Sequence, residues 1–311
     1  MRAVVVRSYG GPEVLELAEV ALPEPGPGEL RVRVRAAVVN PVDEETRKGG
    51  LAALGLHRDL PELGLGWDAA GEVDAVGEGV GGYRVGDRVI GMSAGLEQAS
   101  KAYAEYVVLG VDAVAPAPDG VAPEQAATVP LNGLTAWQGL DLLDLPAGAA
   151  VLISGAAGGV GAFAVELAAA RGLRVVAQAG AADEQLVRGL GAEFFVPRGA
   201  DIAAAVRAVL PDGVDGVLDT AVLGAALLAA VRDGGALVAV RGGAAPEPER
   251  GIRSENVWVR PDTAQLAELA ARAGTGRLTL RVADTYPLDQ AAAAHHRLAE
   301  GGVRGRLVLL P

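Results

Sequence analysis

The sequence predicts an α/β protein in which a β-rich domain is joined to a doubly wound parallel-sheet domain. Three observations predict it: the length of the chain, a change of periodicity near Pro123, and a glycine-rich segment set between an apolar run and a helical one. At 311 residues the chain exceeds what one hydrophobic core usually organises, and domains of roughly 100 to 200 residues make two the natural count. Half of the residues are apolar and 21% are charged, a balance that fits packed cores and is too apolar for disorder.

The first third reads as short strands at residues 3–6, 30–37, 71–76, 88–90 and 106–108, separated by Pro/Gly clusters at 23–28 and 77–86. From Pro123 onward, apolar runs at 150–154, 174–177, 216–219 and 236–241 alternate with Ala/Leu-rich stretches at 161–171, 182–190 and 223–231. That alternation is the signature of a parallel sheet covered by helices. A further helix is expected at 263–273. Residues 278–311 return to strand, helix, strand, and the last strand, 307–310, is expected to rejoin the first domain.

The formal charge of -12 opposes nonspecific attraction to nucleic acid or anionic lipid. With no cysteine in the chain, there is no disulfide, thiolate nucleophile or Cys-ligated metal. The N-terminal run is short and meets Gly10, Gly11 and Pro12 without a cleavage motif, so the cytoplasm is the expected compartment. Residues 145–165 carry no charge and are long enough to cross a bilayer, but Gly155, Gly158, Gly159 and Gly161 favour a strand, a tight turn and a helix.

In that segment Ala157, Gly158, Gly159, Val160 and Gly161 follow a strand ending at Ser154 and open an amphipathic helix. A Rossmann fold places bare backbone amides there, at a helix N-terminus, for a dinucleotide pyrophosphate. Ala156 stands where the first glycine of the usual pattern belongs. Gln178 occupies the end of the second strand, where an acid would hold the NAD ribose, and residues 179–182 offer no cation for a 2'-phosphate. Arg198 is the nearest basic candidate, with a solvated surface arginine as the alternative, and the balance leans to NADPH over NADH.

The ordered motifs YGGPEVLEL, NPVD, LGLGWDAAGEVDAVGEGV, VGDRVIGM, LNGLTAW, AAGGVG, LDT, VRPD and GRLVLL resemble the zinc-free, ζ-crystallin-like quinone oxidoreductases of the medium-chain dehydrogenase/reductase superfamily. The resemblance covers nearly the whole chain. It implies a GroES-like catalytic domain from residues 1–122 and 275–311 and a Rossmann domain from 123–274, with the cofactor in the cleft. It also implies NAD(P)H-dependent reduction of quinones or other α,β-unsaturated carbonyls by a homodimer, with a small-molecule substrate.

Zinc enzymes of that superfamily place a cysteine near Asn40 and a histidine in a Gly-His-Glu motif, positions that here read Asn40 and Gly66-Trp67-Asp68. No zinc is therefore expected, and His57, His295 and His296 are too few and too badly distributed to replace those ligands. The adjacent His295 and His296 read as surface or packing residues. Without a Lewis acid, a conjugated acceptor suits the site better than a simple ketone, because charge left by hydride delivery is delocalised toward a distant oxygen.

Asn40, Asp43, Asn132 and Thr135 are the catalytic candidates. The Asn40 amide would bond a substrate oxygen or the cofactor, or else serve an Asn-Pro turn. Asp43 would orient a water or proton path, or else hold its own loop. Thr135 is carried over as a nicotinamide neighbour, and Asn132 stands where relatives commonly have a small or apolar residue. Gly180, Thr220, Gly242, Gly243, Val257, Trp258 and Val259 are carried over as cofactor neighbours. Relatives also place a tyrosine between Thr46 and His57, and this chain has none. That departure and Gln178 keep open a non-redox ligand-binding or rearrangement function on the same fold.

Overall fold

A computed structural model describes residues 1–56, 61–95 and 100–311. The chain forms two compact units: Met1–Leu131, Arg260–Gly276 and Leu280–Pro311 make the first, and Asn132–Val259 with Arg277–Thr279 make the second.

The first unit is built on β1 (Arg2–Val6), β2 (Leu15–Glu19), β3 (Glu29–Val39), α1 (Pro41–Arg47), α2 (Gly50–Ala53), β4 (Leu63–Gly64), β5 (Asp68–Val76), β6 (Arg88–Met92), β7 (Tyr106–Gly110) and β8 (Val114–Pro116). α3 (Pro123–Ala126) follows, and α4 (Pro130–Leu143) starts in this unit and continues into the next. A three-stranded antiparallel sheet has the order β2-β1-β4. Strand β3 is the spine of the larger sheet, pairing β7 along its first half and β5 over residues 30–36. Alternating burial along β3 turns Leu30, Val32 and Val34 into a core shared with Val73, Val89 and Val107, as period-two patterning requires.

The parallel sheet of the second unit contains β9 (Ala150–Ser154), β10 (Arg174–Ala179), β11 (Phe194–Pro197), β12 (Val214–Asp219), β13 (Val231–Ala239) and β14 (Arg253–Asn256), in the order β11-β10-β9-β12-β13-β14. Helices α5 (Gly159–Ala170), α6 (Glu184–Gly189) and α7 (Ile202–Val209) lie between the strands. This is the doubly wound order, whose direction of winding reverses between β9 and β12. β9 is buried along its whole length, which is why it reads as a continuous apolar run.

The C-terminal part returns to the first unit with α8 (Thr263–Gly274), β15 (Val282–Pro287), α9 (Ala291–Ala299) and β16 (Arg306–Leu310). β16 pairs antiparallel with β3, Leu307 facing Val39, so the last strand closes the sheet expected of it. The unit boundaries fall at Leu131/Asn132 and Val259/Arg260, not at 122/123 and 274/275. The cause is packing: α3 lies on β3 and β5, and α8 lies on β8.

Residues 145–165 form a loop, β9, the glycine turn and half of α5. Among the described residues no helix is long and apolar enough to cross a membrane. The helix expected at 223–231 is instead a 3-10 segment, Gly224–Ala230, followed at once by β13. Gly224 has φ +57° and its N–H donates to Asp219 Oδ2 at 2.8 Å, which fixes a tight turn where a longer helix would have to begin.

Candidate functional site

The candidate residues fall into two groups, one in each unit. In the second unit, the cofactor candidates other than Thr135, which lies on α4, sit just beyond the C-terminal ends of parallel strands. Ala157, Gly158, Gly159, Val160 and Gly161 follow β9, Gly180 follows β10 and Arg198 follows β11. Thr220 follows β12, Gly242 and Gly243 follow β13, and Val257, Trp258 and Val259 follow β14. Ligands of open parallel sheets bind at that edge.

The glycine turn is built for backbone approach. Gly155 has φ +59°, and a Cβ on Gly161 would lie 2.2 Å from the Gly155 carbonyl oxygen, so no larger residue fits there. Gly158 caps α5 in extended conformation, with no side chain closing the helix N-terminus, and its first amides remain available for an anion. Gln178, in β10, faces the glycine turn. Its Oε1 accepts from Gly155 N at 3.1 Å and its carbonyl accepts from Ala156 N at 2.9 Å, so it braces the turn. Below the turn, Ser154 Oγ donates to Asp219 at 2.6 Å and Thr220 Oγ1 donates to the Ser154 carbonyl at 2.5 Å. Trp258 is 61% exposed, and its indole crosses Gly242 so closely that a Cβ there would meet the ring at 2.8 Å. These residues fit a dinucleotide.

In the first unit Asn40 and Asp43 form the capping box of α1. Asn40 N donates to Asp43 Oδ2 at 2.9 Å and Gly66 N donates to Asp43 Oδ1 at 2.9 Å. The Asn40 amide itself donates to Asp68 Oδ2 at 2.6 Å, and the other oxygen of Asp68 accepts from Leu131 N at 2.6 Å. The Asn40 amide nitrogen is therefore engaged by Asp68. Asn132 and Thr135, buried on α4, are three residues apart on one helix face and belong to the second unit.

Burial raises the Asp43 carboxyl to about 6 against the pull of its hydrogen bonds, and raises Asp68 to about 7 for the same reason. Gly66, at φ +99°, passes Tyr103 so closely that a Cβ would lie 2.5 Å from its ring. Tyr103 Oη contacts His295 Nε2 at 3.3 Å, and Arg47 Nε donates to His295 Nδ1 at 3.4 Å. A guanidinium can only donate, so Nδ1 is the acceptor and the neutral imidazole carries its proton on Nε2, facing Tyr103. Thus His295 is a buried network member, while His296 is exposed on the opposite face of α9; His57 lies outside the described residues.

Lys101 completes the cluster. It is 3% exposed, its Nζ stands 4.1 Å above the centroid of the Trp67 ring, and burial lowers its ammonium to about 8 while Asp43 opposes the fall. Lys101, Trp67, Asp68 and Tyr103 were not site candidates by sequence. The one available signal was local: Asp68 is an acid opening an apolar strand, and Lys101 stands among small apolar residues.

These positions do not fit a zinc ion. Both oxygens of Asp43 and of Asp68 accept N–H donors, and among the described residues no three His, Cys, Asp or Glu are grouped to hold a metal.

His295 makes stability pH-dependent. Burial, and the Arg47 charge after it, lower the imidazole to about 3, so its contribution is complete above the unfolded value near 6.5 and is lost as pH falls toward 3. His295→Gln is accordingly expected to destabilise the protein by on the order of a few kcal/mol less at pH 4.5 than at pH 7. Denaturant midpoints of both proteins at the two pH values check this, and equal losses refute it.

Family models for the alcohol dehydrogenase GroES-like domain and for a zinc-binding dehydrogenase match residues 26–119 and 190–309. A quinone oxidoreductase of Sus scrofa is 33% identical, with 100% of this chain and 98% of that protein covered. One of Pseudomonas aeruginosa is 44% identical over 170 residues, which is 54% of this chain and 50% of that protein. Among solved structures, the quinone oxidoreductase from Coxiella burnetii superposes with TM-score 0.89 at 30% identity, covering 100% of this chain and 99% of that one. A mycobacterial protein complexed with NADPH gives TM-score 0.85 at 30% identity, with full coverage of both chains.

Proposed function

Because the chain belongs to the quinone oxidoreductases of the medium-chain dehydrogenase/reductase superfamily, we propose that it is an NADPH-dependent, zinc-independent reductase of quinones or other α,β-unsaturated carbonyls. The observation that carries this reading is the convergence of the cofactor candidates other than Thr135 on the C-terminal edge of one parallel sheet, around a glycine turn and a helix N-terminus with no side-chain cap. When bound, the reduced nicotinamide supplies a hydride. The chain's own work is to hold the pyrophosphate at Gly158–Gly161, to keep the acceptor aligned, and to exclude water.

Support for NADPH over NADH comes from charge. No acid stands at the end of β10, where Gln178 braces the turn, and Arg198, exposed just beyond β11, offers a guanidinium for a 2'-phosphate. The complexed mycobacterial structure agrees in kind. A conjugated acceptor is favoured because the zinc positions hold the Asn40 amide, the Trp67 indole and the Asp68 carboxyl, with the amide already hydrogen-bonded to Asp68, leaving charge to be delocalised within the substrate.

Titration of the purified protein with NADPH and then NADH, followed by nicotinamide fluorescence, tests the reading; no saturable binding of either would sink it in favour of a non-redox ligand-binding role. The same titration of Arg198→Ala should weaken NADPH roughly tenfold, as loss of a charged hydrogen bond implies, and leave NADH unchanged. Parallel losses for both cofactors would remove Arg198 from the site.

A further inference from the structure

We propose that Val222 is a contact residue for the dinucleotide: the turn after β12 holds it in a left-handed conformation so that its isopropyl group bears on the half of the ligand that carries the nicotinamide. The inference rests on the reductase reading above and names a ligand contact that no sequence motif marks.

Among the described residues three non-glycines have a positive φ: Asp144 at +51°, Val222 at +58° and Arg250 at +49°. Aspartate tolerates that region. Arg250 uses its side chain there, its guanidinium donating to the carbonyls of Leu228 and Val231. Val222 has neither reason. It is β-branched, the class of side chain for which the conformation is a genuine outlier, and it is 42% exposed, so its own burial offsets little of the strain. Two residues on, the same turn returns to the left-handed region at φ +57° and uses Gly224. A glycine at position 222 would serve the backbone as well. What valine adds is a side chain.

A buried carboxylate holds the turn in place. Asp219, at the end of β12, accepts from Ser154 Oγ at 2.6 Å and Ala221 N at 3.3 Å through Oδ1, and from Gly224 N at 2.8 Å through Oδ2. The chain on both sides of Val222 is thereby tied to one group. The same turn lies against the glycine turn: Thr220 Oγ1 donates to the Ser154 carbonyl, and a Cβ on Gly155 would lie 3.1 Å from Ala221 Cβ. All of these residues belong to the second unit. Strain that its surroundings over-determine in this way clusters at ligand clamps, and this turn stands at the switch point between β9 and β12, where a dinucleotide crosses the sheet edge. The adenosine ribose belongs to the end of β10, on the far side of β9, so the half that reaches β12 carries the nicotinamide. Its ribose and reduced ring offer uncharged faces, which an isopropyl group can cover.

The test uses the full chain as wild type, Val222→Gly and Val222→Asn. Glycine and asparagine both accept the left-handed region, so the thermal midpoint without ligand should hold or rise in both variants. The fluorescence Kd for NADPH should nevertheless rise about tenfold in both, as loss of an apolar contact of that size implies. Calorimetric titration with 2',5'-ADP, which has the adenosine half alone, should stay within about twofold of wild type. Opposite signs in stability and NADPH affinity, with the adenosine half spared, are the signature of a side chain kept for the ligand. Either variant binding NADPH within about twofold of wild type overturns the proposal, and so do equal losses for NADPH and 2',5'-ADP, which would mean that the whole sheet edge had shifted. A midpoint lowered in both variants also overturns it, because Val222 would then be a packing residue. A wild type that binds neither NADPH nor NADH overturns the reductase reading, and this inference with it; a wild type that binds NADPH while the variants bind it equally well overturns this inference alone.

Discussion

A carboxylate placed at position 159 is expected to abolish saturable NADPH binding without loosening the fold. Gly159 is the first residue of α5, and Gly158 before it contributes no capping side chain, so the helix N-terminus is open to a pyrophosphate. Gly159→Asp sets a negative charge where the ligand's own charge would lie and offers the free amides an internal acceptor. Both effects oppose binding, and a weakening of at least about a hundredfold, roughly 2.7 kcal/mol, is expected. The helix itself should gain from an acid in its first turn, by about 0.3 to 1 kcal/mol, so the thermal midpoint should not drop. Nicotinamide fluorescence and a melting curve on one preparation separate the two effects. An unchanged Kd would remove the glycine turn from the cofactor site, whatever the melting curve does.

The second large effect is expected at Asp68. Its two oxygens accept from Asn40 Nδ2 and Leu131 N, both at 2.6 Å. Asp68→Asn must turn its amide nitrogen toward one of those donors, and a buried donor left without an acceptor costs about 1 to 3 kcal/mol. The loss should depend on pH in a direction that can be worked out. Burial raises the wild-type carboxyl to about 7, above an unfolded value near 3.9. The native state therefore holds its proton longer, and the stability that this contributes is complete below pH 4 and lost as pH rises through 7. Since the asparagine does not titrate, the stability difference between the two proteins should be larger at pH 5.5 than at pH 8.5. Urea midpoints at both values measure it; a difference that grows with pH would mean that Asp68 is held ionised.

How much of this could be read in the sequence depends on how far apart the cooperating residues lie. Strand β9 appears at residues 150–154 as the apolar run alone indicates, and α8 begins at Thr263 behind the Asp262 cap, because periodicity and capping act within a few residues. The 3-10 segment at Gly224–Ala230 was not legible: its turn is set by a bond back to Asp219 and by a positive φ, while its Ala/Leu composition is that of a helix. His295 and His296 were distinguishable only once the buried face of α9 was known.

What the sequence determined by itself was the parallel-sheet domain with its glycine turn, the β-rich partner domain, and the absence of any cysteine to build a metal or disulfide site. Each of those is a local pattern or a composition. Only the tertiary structure decided the polar cluster: it brings Arg47 and His295 together across 248 positions of sequence, engages the Asn40 amide with Asp68, and buries Lys101 on the face of Trp67. The charge state and the free donors of such groups follow from burial and from partners distant along the chain, and neither quantity is encoded in any short stretch of residues.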